Sequence, residues 1–235
     1  MRQFCLLAAC AIAAAGAAPR GDLAQRIDAL EAAVRRAPED LLMAADYRQL
    51  VIATGDFDRS IRVLEHLARD KTAGPNVHLS LGLAYVDKVP ASGEIRRLYL
   101  ARDAVAETTR AIQREPSVLA YYMRGRINLY LNNLIFKRAK QAIQDLQQAL
   151  TLITPETPPP VAADVYTTLG DGYWWRLEDR RSAREVWRRG ADRYPDDPKL
   201  KIRTSHDDEV VANAVWKALR PDIRVDTTLR GLRPQ

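Results

Sequence analysis

Apolar positions along this chain recur at helical intervals, and proline and glycine interrupt them. Ile27, Leu30 and Ala33 share one helix face, and Pro38 ends that stretch. Tyr47 and Val51 belong to a second stretch, which the turn Gly55-Asp56-Phe57-Asp58 joins to Ser60, Ile61 and Leu64. The pattern resumes at His78, Leu81, Gly82 and Tyr85, and again from Ala104 to Pro116. Pro90 and Gly93 mark a loop over Val89–Arg97 between them. Tyr121, Arg124, Gly125 and Asn128 supply another helix, with Ala142, Leu146, Ala149 and Leu150 on its partner. A loop at Pro155–Pro160 precedes Tyr166, Leu169, Gly170 and Tyr173, followed by Ala183, Trp187 and Pro195. Val210, Val211, Ala214, Val215 and Leu219 predict one more helix over Asp207–Leu219, with Ser205 or Asp207 as its cap and Pro221 beyond its end.

These stretches are repeats of one unit. Arg48 and Gly82 are 34 residues apart, Gly82 and Gly125 are 43 apart, and Gly125 and Gly170 are 45 apart; the two loops account for the excess. Ala104 to Pro116 and Ala183 to Pro195 share a separation of 12 residues. Tyr166-x2-Leu169-Gly170-x2-Tyr173, then Ala183, Trp187 and Pro195, resembles the tetratricopeptide repeat signature. In that pattern the glycine lets two helices approach closely, the alanine receives the first helix on the second, and the proline ends the pair. The sequence departs from it where Arg48 replaces the glycine, Thr108 stands at an aromatic place and Arg124 replaces a leucine.

The resemblance implies an all-α fold, an α-solenoid of tetratricopeptide-like helix pairs with a C-terminal capping helix. The expected organisation is a signal peptide at residues 1–17, the repeat domain at 18–204, the capping helix at 205–220 and an extended or disordered tail at 221–235. Terminal repeats are atypical because they must solvate an exposed core, and that role falls to the last helix.

The N-terminal segment bears on compartment. Arg2 precedes an apolar run from Phe4 to Ala15, and Ala15-Gly16-Ala17 is a small-x-small cleavage site. The run is shorter than the roughly 20 residues a membrane-spanning helix needs. A periplasmic or secreted protein is expected. Leu7-Ala8-Ala9-Cys10 also resembles a lipobox, which would make Cys10 a lipid anchor and the chain a membrane-anchored lipoprotein. Both cysteines, Cys5 and Cys10, lie inside this segment, so cleavage at Ala17 leaves no disulfide, thiol nucleophile or cysteine metal site. Hydrophobic residues at 47% and charged residues at 28% describe an ordinary folded chain, so packing carries its stability.

Net charge is +6, mostly from arginine. That balance favours acidic partners or simply solvates helix faces, and export disfavours nucleic acid. The clearest stripe is Arg176, Arg180, Arg184 and Arg188 at i, i+4 spacing, with Glu178 and Glu185 nearby; it suits an anionic envelope surface.

No enzymatic motif is present: no H-E-x-x-H, G-x-S-x-G, P-loop or G-x-G-x-x-G occurs. His78 falls where the repeat places a packing aromatic. His206-Asp207-Asp208-Glu209 are consecutive, so their side chains diverge, and acidic residues at a helix start are expected from the macrodipole. No cofactor or metal is expected.

Binding is the remaining reading. In tetratricopeptide arrays the first helix of each pair lines a concave groove that often holds a peptide. Matching motif places gives Asn76, Leu79 and Leu83 from one unit, Tyr122, Arg126 and Tyr130 from the next, and Asp171, Trp174 and Trp175 from the last. Aromatics and arginine are common hot-spot types, and packing competes for the same residues. The function expected is a non-catalytic periplasmic scaffold or adaptor. It would bind a protein or peptide partner in the cell envelope and assist assembly or regulation of a complex there. The alternative is a glycan- or peptidoglycan-binding module that stacks sugars on Tyr122, Tyr130, Trp174 and Trp175.

Overall fold

The computed structural model describes residues 20–130, 138–219 and 225–233. Every regular element among them is helical: α1 (Arg20–Arg36), α2 (Leu41–Thr54), α3 (Phe57–Ala68), α4 (Pro75–Lys88), α5 (Glu94–Arg114), α6 (Val118–Tyr130), α7 (Ala139–Thr151), α8 (Pro159–Arg176), α9 (Arg180–Arg193), α10 (Pro198–Ser205) and α11 (Asp208–Leu219). Short 3-10 turns occupy Val89–Ala91 and Arg230–Leu232. The signal-peptide segment 1–17, with Cys5 and Cys10, lies outside the described residues, as do 221–224 and 234–235 of the tail.

Local chemistry sets the boundaries. Asp40, Asp179 and Asp197 each cap a helix, accepting from the amides of Met43, Ser182 and Leu200 at 2.9 Å. Gly55 ends α2 in the left-handed conformation, φ 77°. Asp207, one of the two capping candidates, accepts from Val210 N at 3.0 Å and starts α11. The expected loop at Val89–Arg97 is shorter than the sequence suggested. A 3-10 turn follows Lys88, and α5 begins at Glu94, because no proline or glycine follows Gly93 to oppose the helix. Helix α10 has the signature that the sequence reading passed over, an aspartate cap followed by proline in the first turn.

The pairs α2–α3, α4–α5, α6–α7 and α8–α9 stack in chain order, each pair packing on the next. Their seams are close. An added methyl at Gly82 would lie 3.0 Å from the Thr108 side chain, one at Gly125 2.8 Å from Leu146, and one at Gly170 2.2 Å from the Trp187 indole. Trp187 is fully buried, its ring 5.5 Å from Trp174 and its N–H donating to the Thr167 carbonyl at 3.2 Å. One apolar cluster runs from Ala45 of α2 through α11 and takes in Val225 and Leu229 of the C-terminal segment, and a smaller one joins α1 to α4, with Tyr85 packed against both. Helix α11 packs on α8 and α10, closing that end.

Candidate functional site

The first helices of the pairs, α2, α4, α6 and α8, share a face, and the chain's own C-terminal segment lies on it. Residues 225–229 are non-helical, and their burial alternates: Val225, Thr227 and Leu229 point inward while Asp226 is exposed and Thr228 is partly so. Arg48 of α2 donates to the Thr227 carbonyl at 2.9 Å, and Arg126 of α6 donates to the Asp226 carbonyl at 3.3 Å. The 3-10 turn Arg230–Leu232 packs on α8, and Arg233 pairs with Asp46 of α2. The segment therefore runs across the face formed by the first helices of all four pairs, the face that the tetratricopeptide resemblance makes the groove.

Thr227 has the most elaborate setting. Its hydroxyl donates to Asp87 Oδ1 and accepts from Gln49 Nε2 at 3.4 Å. Asp87 is itself bound to Arg48, Nη1 to Oδ2 at 2.6 Å, with both side chains excluded from solvent. A buried pair of this kind is costly to desolvate and tolerable only when its remaining polar atoms find partners. The threonine supplies two, a hydroxyl for the carboxylate and a carbonyl for the guanidinium, while Arg48 Nε stays without a hydrogen-bond partner among the described residues. Leu229 adopts φ 55°, a conformation costing roughly 1–2 kcal/mol for a residue with a Cβ, and its burial offsets that. Asp226 accepts from the Thr228 amide at 2.9 Å and hydroxyl at 2.6 Å. Burial pushes its carboxyl up, but these hydrogen bonds and nearby Arg126 and Arg230 hold it below the usual range.

The nine residues taken from motif places divide into three groups. Arg126 and Tyr130 face the groove: Arg126 holds the Asp226 carbonyl and lies 5.4 Å from the Tyr122 ring centroid, and the Tyr130 hydroxyl donates to the Ala218 carbonyl of α11 at 2.6 Å. Burial raises both the Tyr130 phenol and Tyr122, the latter to about 12. Leu79, Leu83, Tyr122, Asp171 and Trp174 are buried in the helix packing. Asp171 receives both arms of Arg203 from α10 at 2.5 and 2.6 Å, and burial still pushes its carboxyl up against that cation. Asn76 lies apart, its side chain donating to the Glu39 carbonyl at 2.9 Å. Trp175 is 39% exposed. In the basic stripe, Arg180 and Arg184 both pair with Asp208 of α11 and stand over the Trp174 ring at 4.8 and 5.9 Å.

Arg48, Gln49, Asp87 and Thr227 were missed. The repeat offsets contained a signal for two of them. Gln49, Leu83, Arg126 and Asp171 hold one place in four successive units, and Asp87, Tyr130 and Trp175 hold another. Three members of the first series and two of the second had been singled out, so the same offsets lead to Gln49 and Asp87.

No family model matches the chain, and no curated protein matches it. Solved structures do. A thermophilic TPR protein of Thermus thermophilus, TTC0263, superposes with a TM-score of 0.57 at 17% identity, over 83% of this chain and 91% of that one. This is a tetratricopeptide-repeat-like fold. MamA is also similar, with a TM-score of 0.49 and 21% identity, over 77% of this chain and 87% of that one. Among the described residues no helix is long and apolar enough to cross a membrane.

Proposed function

We propose that this chain is a non-catalytic protein-binding scaffold whose concave face takes an extended segment of a partner. The observation that supports this is how the groove already holds polypeptide. Arg48 and Arg126, from α2 and α6, grip successive main-chain carbonyls of a non-helical segment. Main-chain recognition of this kind suits peptide, and side chains inserted at alternate residues add selectivity. The signal-like N-terminus supports a scaffold that works in the periplasm or outside the cell, in assembly or regulation of an envelope complex, with Cys10 as an alternative lipid anchor. The aromatics favour peptide over glycan. Sugar stacking needs several open ring faces, whereas Tyr122 and Trp174 are buried and Tyr130 is partly so, which leaves Trp175 as the exposed member of the four.

The test is capture from envelope extract by the full chain, beside a second bait carrying Gln49→Ala, Arg126→Ala and Trp175→Ala. These side chains are not among the buried residues, and matching melting curves check that both baits are folded. A protein retained by the first bait and lost from the second supports the groove. A partner held equally by both sinks it, and saturable binding of peptidoglycan fragments instead of protein would move the function to the glycan class.

A further inference from the structure

The segment in the groove belongs to the chain itself, and its contacts are those of a ligand. Resting on the peptide-groove reading above, we infer that residues 225–229, Val-Asp-Thr-Thr-Leu, are a built-in occupant of the groove. The partner's recognised element would then share its chemistry: an extended stretch with a hydroxyl residue flanked, two positions away on each side, by aliphatic side chains.

Three features converge on this. The Thr227 hydroxyl is bound from both sides, donating to Asp87 and accepting from Gln49 at 3.4 Å. An aliphatic side chain can do neither, and an amino group cannot accept, so the pocket selects a hydroxyl. Val225 and Leu229 are buried on either side of it, while Asp226 between them is exposed and Thr228 partly so, so the intervening positions are less constrained than the buried three. Finally, groove side chains grip the segment's carbonyls at Asp226 and Thr227. These contacts come from α2, α4 and α6, so they serve a segment from another chain equally well. Being tethered, the tail competes at high effective concentration, and a partner gains the groove only by displacing it.

The probe is a fluorescein-labelled peptide of residues 225–233, titrated by anisotropy against the full-length wild-type chain and full-length Thr227→Val. Losing the hydroxyl weakens the tail's hold and opens the groove. The variant is expected to bind the probe about tenfold more tightly than wild type does. Replacing the probe's first threonine with serine should preserve binding, and replacing it with valine should weaken it about tenfold. In wild type, excess probe should speed hydrogen exchange of the chain's own Asp226–Leu229 amides, a readout that needs no variant to fold. Equal binding by both chains, indifference to the probe's hydroxyl, or unchanged exchange under saturating probe would each overturn the inference and make the tail a fixed part of the fold. A partner captured through the groove but not displaced by the probe would overturn only this inference, leaving the scaffold reading intact.

Discussion

The first unit and the three that follow it solve the same packing problem in opposite ways. In α4, α6 and α8 one place holds glycine, and the second helix closes directly upon it. In α2 that place holds Arg48, with no solvent exposure, and α2 touches α1 more extensively than it touches its own partner α3. The later units combine these close seams with polar links, His78 to Glu107 at 2.9 Å and Arg124 to Asp145 at 2.6 Å. The first has no glycine seam, and beside its apolar cluster it carries a different set of polar links: Arg48 to Asp87, Tyr47 to Glu31 at 3.1 Å, and Arg59 to Glu31 at 2.8 Å and Asp28 at 2.5 Å. The tight seam was exchanged for a cation that reaches the groove and holds the tail. The departure from the repeat pattern at Arg48 marks where the array holds its own C-terminal segment.

Breaking the polar solution should cost most. Arg48→Ala leaves Asp87 buried without its cation and is expected to lower stability by about 3–5 kcal/mol, read from the denaturant midpoint. Replacing the pair by Arg48→Met with Asp87→Leu should recover about 2 kcal/mol of that while leaving the tail unheld. If the double variant is no more stable than Arg48→Ala, the arginine acts through something other than Asp87.

The apolar seams give a graded test. In Gly170→Ala the new methyl meets the body of the Trp187 indole at 2.2–2.7 Å, and that ring is fully buried and hydrogen-bonded. The expected loss is about 1–3 kcal/mol. In Gly82→Ala the methyl meets the Thr108 methyl at 3.0 Å and the Ala104 carbonyl at 3.1 Å. A small shift relieves that contact, and alanine's helix propensity returns up to about 1 kcal/mol. The net change is expected to be under about 1 kcal/mol. Thermal melting of the two variants ranks the seams, and a larger loss at Gly82 than at Gly170 would contradict the geometry.

The helix pairs were legible in the sequence because their determinants are local: apolar spacing, capping aspartates, and glycine or proline at the breaks. The nine residues at motif places do not form one surface: Arg126 bonds the C-terminal segment and Tyr130 bonds α11, while Leu79, Leu83, Tyr122, Asp171 and Trp174 are buried. Asp171 shows why. Arg203 of α10, 32 residues further on, turns what would be a groove carboxylate into an internal ion pair. The tail was illegible for a related reason. Its order depends on Arg48 and Asp87, which are 179 and 140 residues from Thr227, and no periodicity within residues 221–235 reports on side chains so distant.

The smallest expected effect is the pH dependence that Glu31 gives the first unit. Burial pushes the Glu31 carboxyl up, but Arg59, Arg35 and Tyr47 donate to it and hold its folded pKa below the usual carboxylate range. A carboxyl lowered on folding contributes stability that is fully present above its unfolded value of about 4.3. That contribution is lost as the pH falls through the folded pKa. Protonation of Glu31 removes one of the two carboxylates that Arg59 bridges and loosens α1 from α2 and α3, whereas the seam at Gly170 closes on the neutral Trp187 indole. Glu31→Gln should therefore melt lower than wild type at neutral pH, and the two should converge as the pH drops below about 4. Hydrogen exchange of the α1 amides should quicken over the same interval, relative to its intrinsic rate, before that of α8 and α9. A gap that persists unchanged into acid, or an acid-induced opening that begins at the Trp187 seam, would mean that Glu31 is not what holds the first helix to the array.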